Sequence, residues 1–474
     1  MQKKKNLVVL AMSTLPTSVK AYKFIWDGTE KEYDYYGQLE PISTMIRERE
    51  GSLDKVIILA TEETKVEKEI KAEDKLLDGK KTSAVKFYLE RMNLTEEDVE
   101  IVDVKEQDVV PAIANTVEKI RKYWEEQKGN VNLWIDTQGS FRNINLVLNA
   151  VITLLEPDKI VPSGIYAMNY NSSRNSAQRI VDQTNTYKIF QFVSGVNEFT
   201  RSGRAEQLVD YYEKTKPDTP EEIQIMEKIG ESIQMCDMLA FDEELKNFRK
   251  FRKKEKQKKE QEEDILLGIF DAQIQRDYGK LLEKDCTGLD VIEWFHKKGF
   301  YQQAITYLES KMPEEWIKKK IISYEDNEKV IKILKAKLNK KYEKNDNLVV
   351  SQLAIEYCQW NGIYDKDNYN NIRKNELKKL DQGIKEDKYQ KDIVGSHKMV
   401  IEVKREKIGT LNVTIHCKNK MRVMRMLLLY KILKNERNNF NHMSESGMRA
   451  NKEELGDAIQ KFVSTGKGVY QDVC

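Results

Sequence analysis

An α/β first half followed by a mostly α-helical second half is the fold class this sequence predicts. Three observations predict it. Over the first part of the chain, short apolar runs of strand length alternate with stretches of helical periodicity. From about Ser202 onward the strand runs nearly vanish and amphipathic helical spacing takes over. Only 8 prolines and 22 glycines occur in 474 residues, which favours long helices over a loop-rich β protein.

The first strand falls at 6–12, an apolar run interrupted by Ser13, Thr14 and Pro16. Behind the opening Met1-Gln2-Lys3-Lys4-Lys5 it imitates a signal peptide, but it is too short and reads as a buried strand. Further strands are predicted at 56–60 (Val-Ile-Ile-Leu-Ala), 99–104, 131–136 (Val-Asn-Leu-Trp-Ile-Asp) and 165–170. Helical segments at 112–126 and 143–155 lie between them. Strands alternating with helices give a parallel sheet covered on both faces. The expectation is a Rossmann-like domain over residues 1–200.

Residues 201–264 read as a helical linker, with 249–264 a dense charge run that is either a solvated helix or a mobile loop. A helical domain follows over 265–474. Within it, 299–305 predicts the second helix of a helical hairpin, closed by Met312-Pro313, with no repeat of solenoid period. Residues 335–347 form a polar, lysine-rich connection, and 421–433 is apolar enough for a core helix. The stretches 399–404 and 411–415 alternate in two-residue steps, and both a hairpin and a helix stay open for them.

Composition excludes several classes of function. With 80 basic and 78 acidic residues the net charge is only +2, so any nucleic-acid site must come from local clustering. The five cysteines form no C-x-x-C pair and are odd in number, which argues against a disulfide scaffold or zinc ribbon and fits a reducing cytosol. The apolar run 426–430 is too short to span a membrane and is flanked by Arg425 and Lys431. No G-x-G-x-x-G follows a predicted strand, no Walker A lysine appears, and no H-E-x-x-H or cysteine–histidine cluster marks a metal site.

Open parallel sheets bind ligands at the carboxyl ends of their strands, near the topological switch point. Two loops qualify. Ser13-Thr14-Leu15-Pro16-Thr17-Ser18 follows the first strand, and Thr137-Gln138-Gly139-Ser140-Phe141-Arg142-Asn143 follows the strand ending at Asp136. Each carries hydroxyl residues ahead of a helix, whose exposed amides and dipole suit phosphate. Gly139 allows close backbone approach, and Arg142 offers a forked cation for phosphate or a plane for stacking on a base. Helix capping by Thr17, Ser140 or Asn143 accounts for one or two of these residues, not for the whole sequence.

Near the C-terminus the chain reads Arg437-Asn438-Asn439-Phe440-Asn441-His442. Arginine supplies a permanent cation for a phosphate. Histidine exchanges a proton near neutral pH, and asparagine orients either group. On an unbroken helix five residues advance about 500°, so the pair would point about 140° apart. The asparagines favour caps and turns, which predicts Arg437 at a helix end and His442 past a break. Read blandly, Arg437 is a cation at a helix C-terminus and His442 a surface histidine.

Together these pieces resemble the CRISPR-associated CARF–HEPN ribonucleases of type III systems. The likeness rests on the strand ending Asp136-Thr137-Gln138-Gly139-Ser140-Phe141-Arg142 and on Arg437-Asn438-x-x-x-His442. It extends to Phe192-Val193-Ser194-Gly195 through Phe199-x-x-x-Gly203, and to the segment 299–310. The resemblance implies a CARF domain binding a cyclic oligoadenylate at the two-fold axis of a homodimer. It implies a metal-independent HEPN ribonuclease for single-stranded RNA, needing no cofactor, acting in the cytoplasm in antiviral defence. Arg437, Asn438 and His442 of two subunits would form one composite catalytic site leaving a 2′,3′-cyclic phosphate. Ser13, Thr14, Thr17, Asp136, Thr137, Gln138, Gly139, Ser140 and Arg142 would bind the activator. Related loops often carry paired glycines or a histidine where this chain has Gln138 and Ser140, so cyclic tetra- and hexa-adenylate both stay open. The alternative is a non-catalytic nucleotide sensor that engages a protein or nucleic-acid partner.

Overall fold

The computed structural model describes residues 3–15, 18–19, 21–26, 33–36, 39–72, 78–105, 107–138, 144–169, 178–216, 218–255, 265–324, 397–403, 406–441 and 451–472. The chain divides into two compact units, Met1–Val193 and Ser194–Cys474. The first is an α/β sheet unit and the second is mostly helical.

In the first unit the five apolar runs form five consecutive strands on one side of an eight-stranded sheet, out to its edge. The strands are β1 (Lys5–Ala11), β2 (Ala21–Trp26), β3 (Tyr33–Tyr36), β4 (Lys55–Ala60), β5 (Val99–Asp103), β6 (Val131–Asp136), β7 (Gly164–Asn169) and β8 (Gln178–Asp182), in spatial order β3-β2-β8-β7-β6-β1-β4-β5. From β7 to β5 every neighbour is parallel. The expected all-parallel sheet needs correction, because β8 runs antiparallel to β7 and β3 antiparallel to β2. The three strands that bring this change sit to one side. Their sequences (Ala-Tyr-Lys-Phe-Ile-Trp, Tyr-Asp-Tyr-Tyr and Gln-Arg-Ile-Val-Asp) lack the continuous apolar run of strands buried on both faces.

The helices α1 (Pro41–Glu50), α2 (Ala84–Met92), α3 (Val110–Glu126) and α4 (Ile144–Leu155) cover the sheet. Alternate residues of β1 serve opposite faces. Val8 and Leu10 pack with Ile42, Met45, Phe87 and Tyr88 of α1 and α2. Leu7, Val9 and Ala11 pack with Val117 and Ile120 of α3 and Val147, Leu148 and Val151 of α4.

The division between units falls within α5 (Thr184–Ser202). The second unit continues with α6 (Glu206–Thr215), α7 (Glu221–Gln234), α8 (Met238–Glu255), α9 (Ile265–Leu282), α10 (Gly288–Lys297) and α11 (Tyr301–Lys318). It ends with α12 (Lys420–Asn441) and α13 (Lys452–Asp472). Its core is aromatic: Phe199 stacks on Tyr278 with ring centroids 5.0 Å apart, and Phe241, Phe295 and Trp316 are fully buried. Gly195 has a packing reason, since a Cβ there would meet the Leu208 amide at 2.8 Å. Of the charge run, residues 249–255 belong to α8, and 256–264 lie outside the described residues, as does the lysine-rich connection at 335–347.

In this unit one open alternative is decided and one expectation changes. The stretch left open between hairpin and helix pairs antiparallel, β10 (His397–Val403) against β11 (Glu406–Ile415), with a register shift between Ile401 and Glu402. A third strand, β9 (Ile322–Tyr324), pairs antiparallel with β11. The helical hairpin of α10 and α11 turns at Gly299, whose φ is +77°. Met312-Pro313 does not close it, because α11 runs through to Lys318 with Pro313 inside and buried. Burial of Met312 and Trp316 on either side holds the helix together across the missing amide.

Candidate functional site

The first candidate site lies at the carboxyl edge of the sheet. β1 and β6 are parallel neighbours, with Leu10 opposite Asp136. After β1 the chain first lays down β2 and β3 at the far edge of the sheet, so the loop after β1 leads into a strand and not into the expected helix; α1, β4 and β5 then follow on one side of β1, and β6 takes the other. The helix between β1 and β4 is α1, on one face, and the helix after β6 is α4, on the other. Leu15, after β1, packs on the face that α1 covers, and Ile144, at the start of the helix after β6, packs on the other, so the chain continues from these adjacent strand ends on opposite sides of the sheet.

The residues of this edge differ in character. Ser13 is half-buried and Thr14 exposed. Thr137 is buried, and both its amide and its hydroxyl donate to the Tyr166 carbonyl, at 2.9 and 3.0 Å. That bond ties the end of β6 to β7, a structural role the sequence did not disclose. Asp136 is 2% exposed, and its carboxylate accepts the Gln138 amide at 2.8 Å. Burial pushes its carboxyl up to about 8, only partly offset by that amide. The Gln138 side chain is half-buried, and its carbonyl oxygen has no hydrogen-bond partner among the described residues. Thr17, Gly139, Ser140 and Arg142 lie outside the described residues.

The second candidate site is at the end of α12. Val423, Met426, Leu427, Tyr430 and Leu433 are buried, so the core helix expected at 421–433 is present. Arg437 does not end it, since the helix continues through Asn438 and Asn439 to Asn441. Tertiary burial of this helix outweighs the weak helix preference of asparagine. His442 lies outside the described residues.

Arg437 is half-buried, and its Nε lies 3.3 Å from the Glu309 carboxylate on α11. Lys434 Nζ lies 3.6 Å from the same carboxylate. Glu309 is the member of this group that sequence reading missed. It is remote in the chain from Arg437, and although it lies within the segment 299–310, nothing there sets it apart. Among the described residues no group of three or more His, Cys, Asp or Glu is arranged to hold a metal ion, and no helix is long and apolar enough to cross a membrane.

No family model matches the chain, and no curated protein sequence does. Among solved structures it is similar to Enterococcus italicus Csm6 bound to cyclic hexa-2′-fluoro-hexa-dAMP. That alignment has a TM-score of 0.27 and 11% identity, and covers 99% of this chain and 95% of that one. A score that low leaves the function to be argued from the chain's own residues.

Proposed function

We propose that this protein is a cyclic-oligoadenylate-activated, metal-independent endoribonuclease of type III CRISPR antiviral defence, working as a homodimer on single-stranded RNA in the cytoplasm. One observation carries the reading. β1 and β6 are parallel neighbours, so the two hydroxyl-bearing loops begin side by side at one edge of the sheet. Ser13, Thr14 and Gln138, with Thr17, Gly139, Ser140 and Arg142, supply donors and acceptors for a phosphate-linked ring of adenylates, cyclic tetra- or hexa-adenylate. Asp136 and Thr137 shape the strand end beneath them.

In this reading the helical unit cuts RNA with Arg437, Asn438 and His442 from each of two subunits. The 2′-oxygen attacks the adjacent phosphorus as its proton is removed. The bond to the 5′-oxygen breaks, and that oxygen takes up a proton. His442 handles a proton in one of these transfers. Arg437 balances the charge gathering on the phosphate oxygens. The product is a 2′,3′-cyclic phosphate. Isologous pairing brings two copies of a motif together, so one helix need not aim both residues at one point.

The test is cleavage of single-stranded RNA with and without cyclic tetra- or hexa-adenylate, beside His442→Ala and Arg437→Ala. Activator-dependent cleavage lost in both variants is the expected result. Cleavage undiminished in His442→Ala refutes the site. A second reading draws on the ion pair between Arg437 and Glu309, which gives Arg437 a structural task. It makes the protein a non-catalytic sensor, and nucleotide-dependent partner binding without RNA cleavage is its signature.

A further inference from the structure

Glu309 meets three residues of α12 that share one face of that helix. Its carboxylate lies 3.6 Å from Lys434 Nζ and 3.3 Å from Arg437 Nε. The Tyr430 hydroxyl donates a long hydrogen bond, 3.5 Å, to its backbone carbonyl. The spacing 430, 434, 437 is the i, i+4, i+7 stripe that a helix presents to a neighbour. The carbonyl is open to Tyr430 because Pro313, four residues further along α11, has no amide to offer it. One residue thus fixes α12 against α11 through its backbone and the arginine through its side chain.

A guanidinium is a planar fork, and the Glu309 carboxylate pairs with it from the Nε side through charge, without a hydrogen bond at Nε. The Glu309, Lys434 and Arg437 side chains are 22%, 13% and 31% exposed, so the pairing is less screened than one on an open surface. Lys434 and Arg437 share the Glu309 carboxylate, and Glu436, buried on α12 next to Arg437 in the chain, is a second acid here.

We infer that Glu309 is a positioning residue for Arg437, setting the direction in which its guanidinium meets an RNA phosphate. The inference rests on the ribonuclease reading above. Glu309 touches no substrate in this role. It acts through Arg437, and the Pro313–Tyr430 arrangement fixes the place from which it acts.

The test uses the full chain with its activator and Glu309→Gln, which keeps the size of the side chain and removes its charge. Four quantities are read: kcat and KM for RNA cleavage, affinity for a non-cleavable 2′-deoxy-substituted RNA, and the rate at which phenylglyoxal modifies Arg437, followed by peptide mass spectrometry. The expected result is a kcat lower by roughly 10- to 100-fold, the scale for a misplaced catalytic group. RNA affinity stays level or rises, because a negative charge has gone, and Arg437 is modified several-fold faster. Glu309→Asp, which restores the charge at shorter reach, recovers part of the kcat and part of the protection, and it serves as the test if the glutamine variant does not fold. Unchanged Arg437 modification overturns the inference whatever the activity does, and so does an unchanged or raised kcat. If the wild-type protein cleaves no RNA with either activator, the ribonuclease reading fails on its own. The modification rate then decides alone whether Glu309 holds Arg437.

Discussion

Asp136→Asn offers a sharp test of how the sheet edge is built. The Asp136 carboxyl is buried, accepts one amide from Gln138, and is pushed from its ordinary 3.8 up to about 8. The sign follows from the direction of the shift. Between about pH 4 and pH 8 the folded protein holds a proton here that the unfolded chain has released, so this group makes stability fall as pH rises. Its contribution is full below the unfolded value and lost by the folded one. Keeping the proton at pH 7 costs about 4 kcal/mol, at about 1.4 kcal/mol per pH unit. Asparagine removes that cost and still accepts the Gln138 amide. It adds one amide hydrogen that needs a partner, an offset of about 1–3 kcal/mol. The expected net gain at pH 7 is about 2 kcal/mol. Urea unfolding of both proteins from pH 4 to pH 9 measures it. The stability difference, variant minus wild type, should climb through this window and level off above pH 8. A difference that is flat or falls with pH means the folded protein carries Asp136 ionised, and refutes the reasoning.

Two further substitutions report on packing, and three on the proposed chemistry. Thr137→Val removes the hydroxyl that donates to Tyr166 while keeping shape, and should cost about 1 kcal/mol in the same unfolding assay. Gly195→Ala raises helix propensity but drives a Cβ into the Leu208 amide at 2.8 Å, so a net loss of about 1–3 kcal/mol is expected. Activator-dependent RNA cleavage should vanish in both Arg437→Ala and His442→Ala, read on a labelled single strand. Glu309→Gln should lower kcat without weakening RNA binding, read by the kinetic and affinity measurements given above.

What sequence made legible in the fold follows a physical line. β1, β4 and β6 are covered on both faces, so their apolar residues run together and mark their own boundaries. β2, β3 and β8 carry Lys23, Asp34 and Arg179 among their aromatic and aliphatic residues. β2 pairs with β3 and β8 with β7, their neighbours in sequence, but the β2–β8 pairing that joins the two hairpins links segments remote in the chain, which no local pattern encodes. β10 and β11 also pair with each other as sequence neighbours. A two-residue alternation is visible in both, yet the element that completes their sheet, Ile322–Tyr324, lies well upstream. Pro313 misled in the opposite way. A local breaker was read as an end, whereas burial on both sides of it carries α11 onward.

The two candidate sites differ in how far a sequence can reveal them. The edge where β1 and β6 end side by side comes from strand order. The residue types in the loops that follow are what the proposed activator site rests on, and these can be read from sequence. The arginine is another matter. Its motif states that a cation and a histidine lie close along the chain, and says nothing about where the cation points. That direction depends on α12 running past Arg437 to Asn441, on a carboxylate from α11, and on a proline that frees a carbonyl for Tyr430. Each is a tertiary fact. A motif match at 437–442 alone therefore underdetermines activity, and a chain that kept Arg437 and His442 but lost Glu309 would keep the motif and lose the aim.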